Sequence, residues 1–320
     1  MTIIVFGSIN IDLVGKTPRL PLPGETIIGS NFLTVGGGKG ANQAVAAARL
    51  GASTHMIGRV GNDKFAEELL ADLQFYGLNT DNILIDKNTH SGVAIIAVED
   101  SGQNNIIVIP GANNHIGEAE LERLEKLLTD ATTLLLQLEI PLEVVQRAAF
   151  LACEAGVRVI LDPAPARSDL PIDLYPLIDI ITPNEVEASQ LVGFPVNNPE
   201  TAILAAKELQ QRGVKNAIVK LGDRGVVAVT ADETLFLPAF AVDAIDTVAA
   251  GDAFNGGLAA ALDAGLSLSE AVVWGAAAGA LCVTKMGAQV AMCDRTTFDA
   301  FLQEEGRGNN EGTTSLLLND

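Results

Sequence analysis

A chain of 320 residues with 48% hydrophobic content can build one large globular unit, with or without a small accessory one, which excludes a disordered polypeptide. Forty acidic residues against 20 basic ones give a net charge of −20, a negative field that argues against nucleic-acid and anionic-membrane partners. An anionic ligand would therefore have to be held by local backbone dipoles and a divalent metal.

The opening run MTIIVFGSIN lacks a basic leader, and its apolar part stops at Asn10 and Asp12, so a first strand is predicted over 2–7 and not a signal peptide. Helical periodicity follows over 40–50, closed by Gly51, and over 63–76, with Asn62 as cap and Gly77 at the end. A strand at 133–138 leads to a helix at 142–155, with Pro141 at its first position and Gly156 as its C-terminal cap. Strands at 157–161 and 179–182 come next, then a helix at 199–212 and a strand at 216–221. Two Ala-rich helices, 251–264 and 270–284, complete the pattern. Within the second, the apolar stretch from Ala271 to Thr284 is too short to span a bilayer. Strands alternating with helices predict an α/β fold with a mainly parallel sheet covered on both faces.

Two segments break the rhythm. Residues 11–36 and 90–111 alternate apolar and polar positions and are punctuated by Pro18, Pro21, Pro23, Gly24, Gly92 and Gly102. Alternation implies one wet face, so these are read as a small antiparallel β lid inserted in a domain spanning 1–303. Its exposed edges suit pairing into a homodimer. From Glu304 to the end the composition is that of a loose tail. Cys153, Cys282 and Cys293 sit in or beside apolar runs without metal-ligand spacing, and read as core thiols in a reducing cytoplasm. His55, His90 and His115 share no metal spacing. Trp274, among alanines, reads as core, with stacking on a nucleotide base as the alternative.

The string from Asp246 to Phe254 (DTVAAGDAF), followed by Asn255-Gly256-Gly257, carries the strongest chemical signal. Small residues allow a tight turn into a helix whose first N–H groups, those of Ala249, Ala250, Gly251 and Asp252, point outward as an anion hole. Asp252 at that spot is either a plain helix cap or a general base beside a transferring phosphoryl group; the length of the string favours the base. The run around Gly36-Gly37-Gly38-Lys39-Gly40 follows a lid segment and not the first strand, so it is no dinucleotide turn, and Gly40 after Lys39 rules out a Walker A loop. Left open are a structural turn or a backbone that closely approaches a small ligand. Asp12 is either a solvated turn acid or a ligand contact, whereas Glu139 ends a strand where open α/β sheets bind ligands. Asn184, Glu185 and Glu187 fit a capped helix start.

These motifs together resemble those of the ribokinase-like, pfkB-type carbohydrate kinases. The Asp246–Phe254 string is similar to the family's C-terminal signature, and Gly37-Gly38-Lys39-Gly40-Ala41-Asn42-Gln43 to its N-terminal one. Resemblance runs from Ile3 to about Phe301, through Gly7-Ser8-Ile9-Asn10-Ile11-Asp12, Pro23-Gly24-Glu25-Thr26, Gln137-Leu138-Glu139, Pro163-Ala164-Pro165-Ala166, Thr182-Pro183-Asn184-Glu185 and Gly222-Asp223-Arg224-Gly225. It implies a kinase that passes the ATP γ-phosphoryl group to the 5-hydroxyl of D-ribose, with Asp252 as base. Asn10, Asp12, Gly38, Lys39, Gly40, Asn42 and Glu139 would grip the sugar. Asn184 and Glu187 would handle Mg²⁺ and phosphate, and Lys220, Gly222, Asp223, Arg224, Gly225 and Gly251 would receive ATP. A potassium ion would lie beside the side chain of Asp246 and the carbonyls of Val248, Cys282, Lys285 and Gly287.

Two positions depart from the family pattern: Ala291 replaces a hydroxyl that often completes the potassium site, and Ala276 replaces an adenine-contacting His or Asn. The resemblance leaves room for a fructokinase, deoxyribokinase or adenosine kinase type, though 4% aromatic content offers little surface to stack a nucleoside base. A sugar sensor without catalysis is the reading from another class, and an intact Asp252 argues against it. A nicotinamide-dependent oxidoreductase fits least.

Overall fold

A computed structural model describes residues 2–101, 103–308 and 316–317; Gly102, one of the predicted lid punctuations, lies outside the described residues. In chain order the main sheet takes β1 (Ile3–Phe6), the lid takes β2 (Asn10–Thr17) and β3 (Asn31–Gly37), and helix α1 (Lys39–Arg49) leads back to β4 (Thr54–Gly61). Then come α2 (Lys64–Phe75), β5 (Ile83–Asp86), the lid strands β6 (Gly92–Glu99) and β7 (Asn104–Ile109), and α3 (Glu118–Leu127). The alternating half follows with β8 (Thr133–Leu136), α4 (Leu142–Glu154), β9 (Arg158–Leu161), β10 (Ile180–Ile181), α5 (Glu185–Val192), α6 (Pro199–Gln211) and β11 (Asn216–Lys220). A meander of β12 (Val226–Val229) and β13 (Thr234–Leu237) precedes α7 (Ala250–Asp263), α8 (Leu268–Val283), α9 (Arg295–Gly308) and β14 (Leu316–Leu317).

The sheet has ten strands in the order β14-β13-β12-β11-β10-β9-β8-β1-β4-β5. It is parallel from β5 to β11 and antiparallel beyond. Strand periodicity sorts its side chains into two cores. Ile3 and Val5 of β1 face one cluster with α1, α2, α7 and α8, while Ile4 and Phe6 face the other with α3, α4, α5 and α6. Glycine brings the first layer together: a Cβ on Gly256 would meet Ala46 and Ala47 of α1, and one on Gly257 would meet Ala278 of α8. This close packing fixes where α7 begins.

The lid is a four-stranded sheet in the order β3-β2-β6-β7. Its two antiparallel pairs, β2 with β3 and β6 with β7, meet along a parallel seam of β2 with β6. Parallel pairing follows from topology, because β2 and β6 leave the carboxyl ends of β1 and β5, two parallel strands on either side of β4.

Several local expectations change. Asp63, not Asn62, caps α2, its carboxylate accepting from the Ala66 N–H. Pro141 is the residue before α4 and not its first turn. Cys153 is exposed, unlike the buried Cys282 and Cys293, because it lies on the outward face of α4. The predicted loose tail is helical as far as Gly308, and Leu316–Leu317 pair with β13; residues 309–315 and 318–320 lie outside the described residues. Among those described, no helix is long and apolar enough to cross a membrane. Trp274 stacks edge-on with Phe298 at 4.9 Å beneath the Arg295 guanidinium, so it is a packing residue.

Candidate active site

The chain crosses from the meander into α7 through Ala249, which adopts φ 60°. Left-handed backbone costs a residue with a Cβ about 1 kcal/mol or more, and Ala249 alone among the described non-glycine residues adopts positive φ. The turn sets the N-terminus of α7, whose first N–H groups have no partner within the helix, on the wall of a cavity of about 760 Å³; the Ala250 N–H reaches the Thr247 carbonyl at 3.4 Å. Ala249, Ala250, Gly251 and Asp252 all line the cavity. A Cβ on Gly251 would stand 3.3 Å from the Lys220 ammonium, so that cation sits over the helix N-terminus. Backbone dipole and ammonium together make a concentrated positive site in an acidic protein.

Asp252 is 5% exposed. The Asn42 carboxamide donates to its Oδ2 at 2.9 Å and that of Gln43 to its Oδ1 at 3.1 Å. Burial drives the Asp252 carboxyl above the usual carboxylate range; the Lys39 ammonium and the two carboxamide donors oppose that rise. A partly desolvated acid is a stronger base than an exposed one, which suits proton acceptance from an alcohol.

On the lid side, Asp12 projects beneath Gly37, where any side chain would collide with its carboxylate. Burial, with Glu139 and Asp252 nearby, pushes Asp12 up to about 7. Asn10 is clamped by Asn113, whose Nδ2 reaches Asn10 Oδ1 at 2.7 Å while its Oδ1 accepts the Ile9 N–H at 2.9 Å. Glu139 accepts the Lys39 N–H at 3.1 Å and the Ser8 hydroxyl at 2.5 Å. Gly38, at φ 87°, and Gly40 pack on the backbone of residues 7–10, so α1 starts directly above the end of β1. The Lys39 side chain lines the cavity. Burial would lower its proton affinity, but Asp252, Asp162, Glu139 and Glu187 surround it and hold it above the ordinary lysine range. Lys39 thus stands between Glu139 on the lid side and Glu187 toward the far end of the cavity.

The far end of the cavity is lined by Asn184, Glu187, Lys220, Gly222, Asp223 and Gly225. Asn184 caps α5 by accepting the Glu187 N–H at 2.9 Å, and Glu187 returns the contact to the Asn184 N–H at 2.8 Å. The cap leaves Glu187 buried at the cavity wall, where desolvation and Asp162 raise its carboxyl. Arg224, expected among these groups, instead forms an ion pair with Glu185 and is not part of the wall. Beyond them the wall is apolar, with Phe240, Val242, Ala276, Ala280 and Val283. Ala276 offers that region no polar contact.

The residues expected around a potassium ion form one loop system. Asp246 accepts N–H groups from Val248 at 3.1 Å and Gly287 at 2.9 Å. Cys282 donates its thiol to the Val248 carbonyl at 3.7 Å, and its own carbonyl accepts the Lys285 N–H at 3.2 Å. One carboxylate amid several carbonyls is an oxygen donor set that fits a monovalent cation. Ala291, fully buried nearby, adds no oxygen to it.

Five contributors carry no role in the sequence reading: Ser8, Gln43, Asn113, Gln137 and Asp162. Asp162 had a signal, since it follows the apolar run of β9 as Glu139 follows β8, and it pairs with Lys220 at 3.1 Å. Gln43 stood within a motif but was read only as part of the string. Asn113 lies in a short 3₁₀ turn far along the chain, and nothing local marks it.

With this geometry established, similarity to known proteins can be placed beside it. The family model described as pfkB family carbohydrate kinase matches residues 2–295. Ribokinase of Haemophilus influenzae is 41% identical over 302 residues, covering 94% of this chain and 98% of that protein. Deoxyribokinase of Salmonella typhi is 39% identical, covering 80% of this chain and 84% of that one. The solved structure of Arabidopsis thaliana ribokinase complexed with ribose and ATP superposes with a TM-score of 0.86 at 34% identity, covering 94% and 98% of the two chains.

Proposed function

This chain belongs to the pfkB family of carbohydrate kinases, and from that premise we propose that it transfers the γ-phosphoryl group of ATP to the 5-hydroxyl of D-ribose, giving D-ribose 5-phosphate and ADP. The observation that carries the reading is the position of Asp252: it sits where the nucleotide cavity, lined by Asn184, Glu187 and Lys220, meets the sugar-side residues Asp12 and Asn42.

In this mechanism Asp12 accepts hydrogen bonds from the vicinal hydroxyls of the furanose and Asn10, its Oδ1 taken by Asn113, donates its amide to one of them, which fixes the ring and points its primary alcohol at Asp252. Asp252 takes the proton of that alcohol as the oxygen attacks. Negative charge on the transferring group falls on the N–H groups of residues 249–252, with Lys39 and Lys220 beside them. A loose transition state asks for deprotonation late, so orientation contributes much of the rate. Closure of the lid over the sugar excludes water that would otherwise hydrolyse ATP.

Two ions belong to the proposal. Asn184 and Glu187 would hold Mg²⁺ through retained waters, and the oxygen donors at that end of the cavity fit it. When bound it neutralises phosphate charge. Potassium would bind at Asp246 and the carbonyls of Val248, Cys282, Lys285 and Gly287, steadying the turn at Ala249, with weaker activation because position 291 is alanine.

The protein is further proposed to be a cytoplasmic homodimer. Free Cys153, Cys282 and Cys293 support a reducing compartment. Phe32, Leu33, Ile95, Ile106, Ile107 and Val108 of the lid are exposed apolar residues that a second lid would cover. A coupled ADP-release screen over pentoses, hexoses and nucleosides, with and without K⁺, tests the assignment. D-Ribose as the best substrate is the expected result. Strong preference for 2-deoxyribose, a hexose or a nucleoside would overturn the substrate, and no sugar-dependent ADP release at all would overturn the activity.

A further inference from the structure

Gln43 lies inside α1, fully buried, and all its hydrogen-bonding capacity turns toward the site. Its Nε2 donates to two acids at once, Asp252 Oδ1 at 3.1 Å and Asp162 Oδ2 at 2.9 Å. Its Oε1 accepts from Gln137 Nε2 at 2.8 Å. A carboxamide has a donor end and an acceptor end, so which way round it sits decides what the acids feel. The two acids, which take both amide protons, and the Gln137 donor at the oxygen together settle that orientation. Gly7 leaves the room for it, since a Cβ there would strike Gln137 Oε1. Asp162 continues the line to Lys220 at 3.1 Å. One hydrogen-bonded path, Gln137 to Gln43 to Asp252 and Asp162 to Lys220, therefore joins the base to the phosphate end.

We propose that Gln43 is a positioning residue for phosphoryl transfer: its carboxamide, oriented by Gln137, fixes the reactive carboxylate of Asp252 and ties it to the Asp162–Lys220 pair. Asn42 alone holds only Oδ2. Without the second donor the carboxylate is free to rotate about its terminal torsion, which has broad wells. A donated hydrogen bond also favours the ionised carboxyl, the form a base must have. The other charged groups facing Asp252 are Lys39 of α1, which favours that form, and Asp162, which opposes it; Asp12 on the lid strand β2 is also close.

This inference rests on the sugar-kinase reading, and the test separates the two. Gln43→Met keeps the volume and removes both donors and the acceptor. With D-ribose and ATP, its kcat is expected to fall by about 10-fold or more while the ribose Kd changes less than about 2-fold. The acid limb of its kcat profile is expected to move to higher pH, because Asp252 loses a donor to its charged form. A purely structural glutamine would lower the folded fraction without moving that limb. Gln43→Asn, too short to reach both acids, carries the same expectation if the methionine variant does not fold. Wild-type kcat and an unmoved limb in a folded variant would overturn the proposal; a wild-type enzyme that releases no ADP with any sugar would overturn the parent reading instead.

Discussion

The two ends of the cleft are built from different materials. At the acceptor end, side chains from distant segments converge: buried Asp12 from β2, Asn42 and Gln43 from α1 and Asp252 from α7, with half-buried Glu139 after β8. At the nucleotide end, helix N-termini, glycines and alanines do most of the lining, with Lys220, Glu187 and Asp223 as charged exceptions. Side chains can be tuned for one substrate and are lost one at a time, whereas backbone donors survive most substitutions. Under the proposed mechanism, discrimination and proton transfer fall at one end and generic phosphate holding at the other.

Substitutions can break that contrast. The largest effect is expected from Asp252→Asn, which keeps the shape and the Asn42 neighbourhood but removes the base; kcat should fall at least about 10²-fold with ribose binding retained. Undiminished turnover would remove Asp252 from the base role. Asp12→Ala is expected to raise the ribose KM by about 10-fold or more, the value of hydrogen bonds to a charged group, leaving the ATP KM nearly unchanged.

The same Asp12 gives a pH test. Its carboxyl titrates at about 7 in the folded protein against 3.8 for the unperturbed group, so between those values the folded state holds an additional proton. This group's contribution to stability therefore falls as pH rises through that window, and its destabilisation is complete above about 7. At pH 8 Asp12→Asn should accordingly raise the sugar-free Tm, by on the order of 2 °C. Sugar binding has the opposite demand, because the diol needs the carboxylate. The wild-type ribose KM should rise as pH drops below about 7, and a flat KM from pH 8 to 5.5 would show the diol gripped elsewhere.

At the nucleotide end effects shrink. Asn184→Ala removes the cap of α5 and is expected to cost about 1 kcal/mol of stability, read by denaturant melts, with a modest rise in the MgATP KM. Ala276→Ser should change the ATP KM by less than about 2-fold, since that wall offers packing and no specific polar contact. A large change there would mean that nucleotide selectivity resides in side chains after all.

The same difference in material governs what could be read from the chain. Strands β1, β8, β9 and β11 and helices α1, α4, α6, α7 and α8 follow from periodicity, because each buries a face and writes that face as apolar spacing. Asp12 and Glu139 stood out as acids a few residues beyond the apolar runs of β1 and β8, although Asp12 itself lies inside the lid strand β2. The lid's two strand segments were legible from alternation, but their parallel seam was not, since alternation reports a wet face and says nothing of a neighbour's direction. Short α5 and the antiparallel meander of β12 and β13 lack enough residues for a period. Asn113 and Gln137 matter only through contacts across the chain, at sequence separations of 103 and 94 residues from Asn10 and Gln43. The Arg224–Glu185 ion pair likewise joins the turn after β11 to the start of α5 and has no local pattern to announce it.

Because the acceptor end carries the chemistry, the position of the new phosphate ester tests the account most directly. Incubation of the wild-type protein with D-ribose and MgATP, followed by ³¹P NMR of the products, should give a monoester at the primary C5 oxygen with one ADP for each ester, and 5-deoxy-D-ribose should bind without yielding either. A phosphate at the anomeric carbon or at a secondary hydroxyl, or ADP formed equally fast with 5-deoxy-D-ribose, would contradict an Asp252 that faces the primary alcohol.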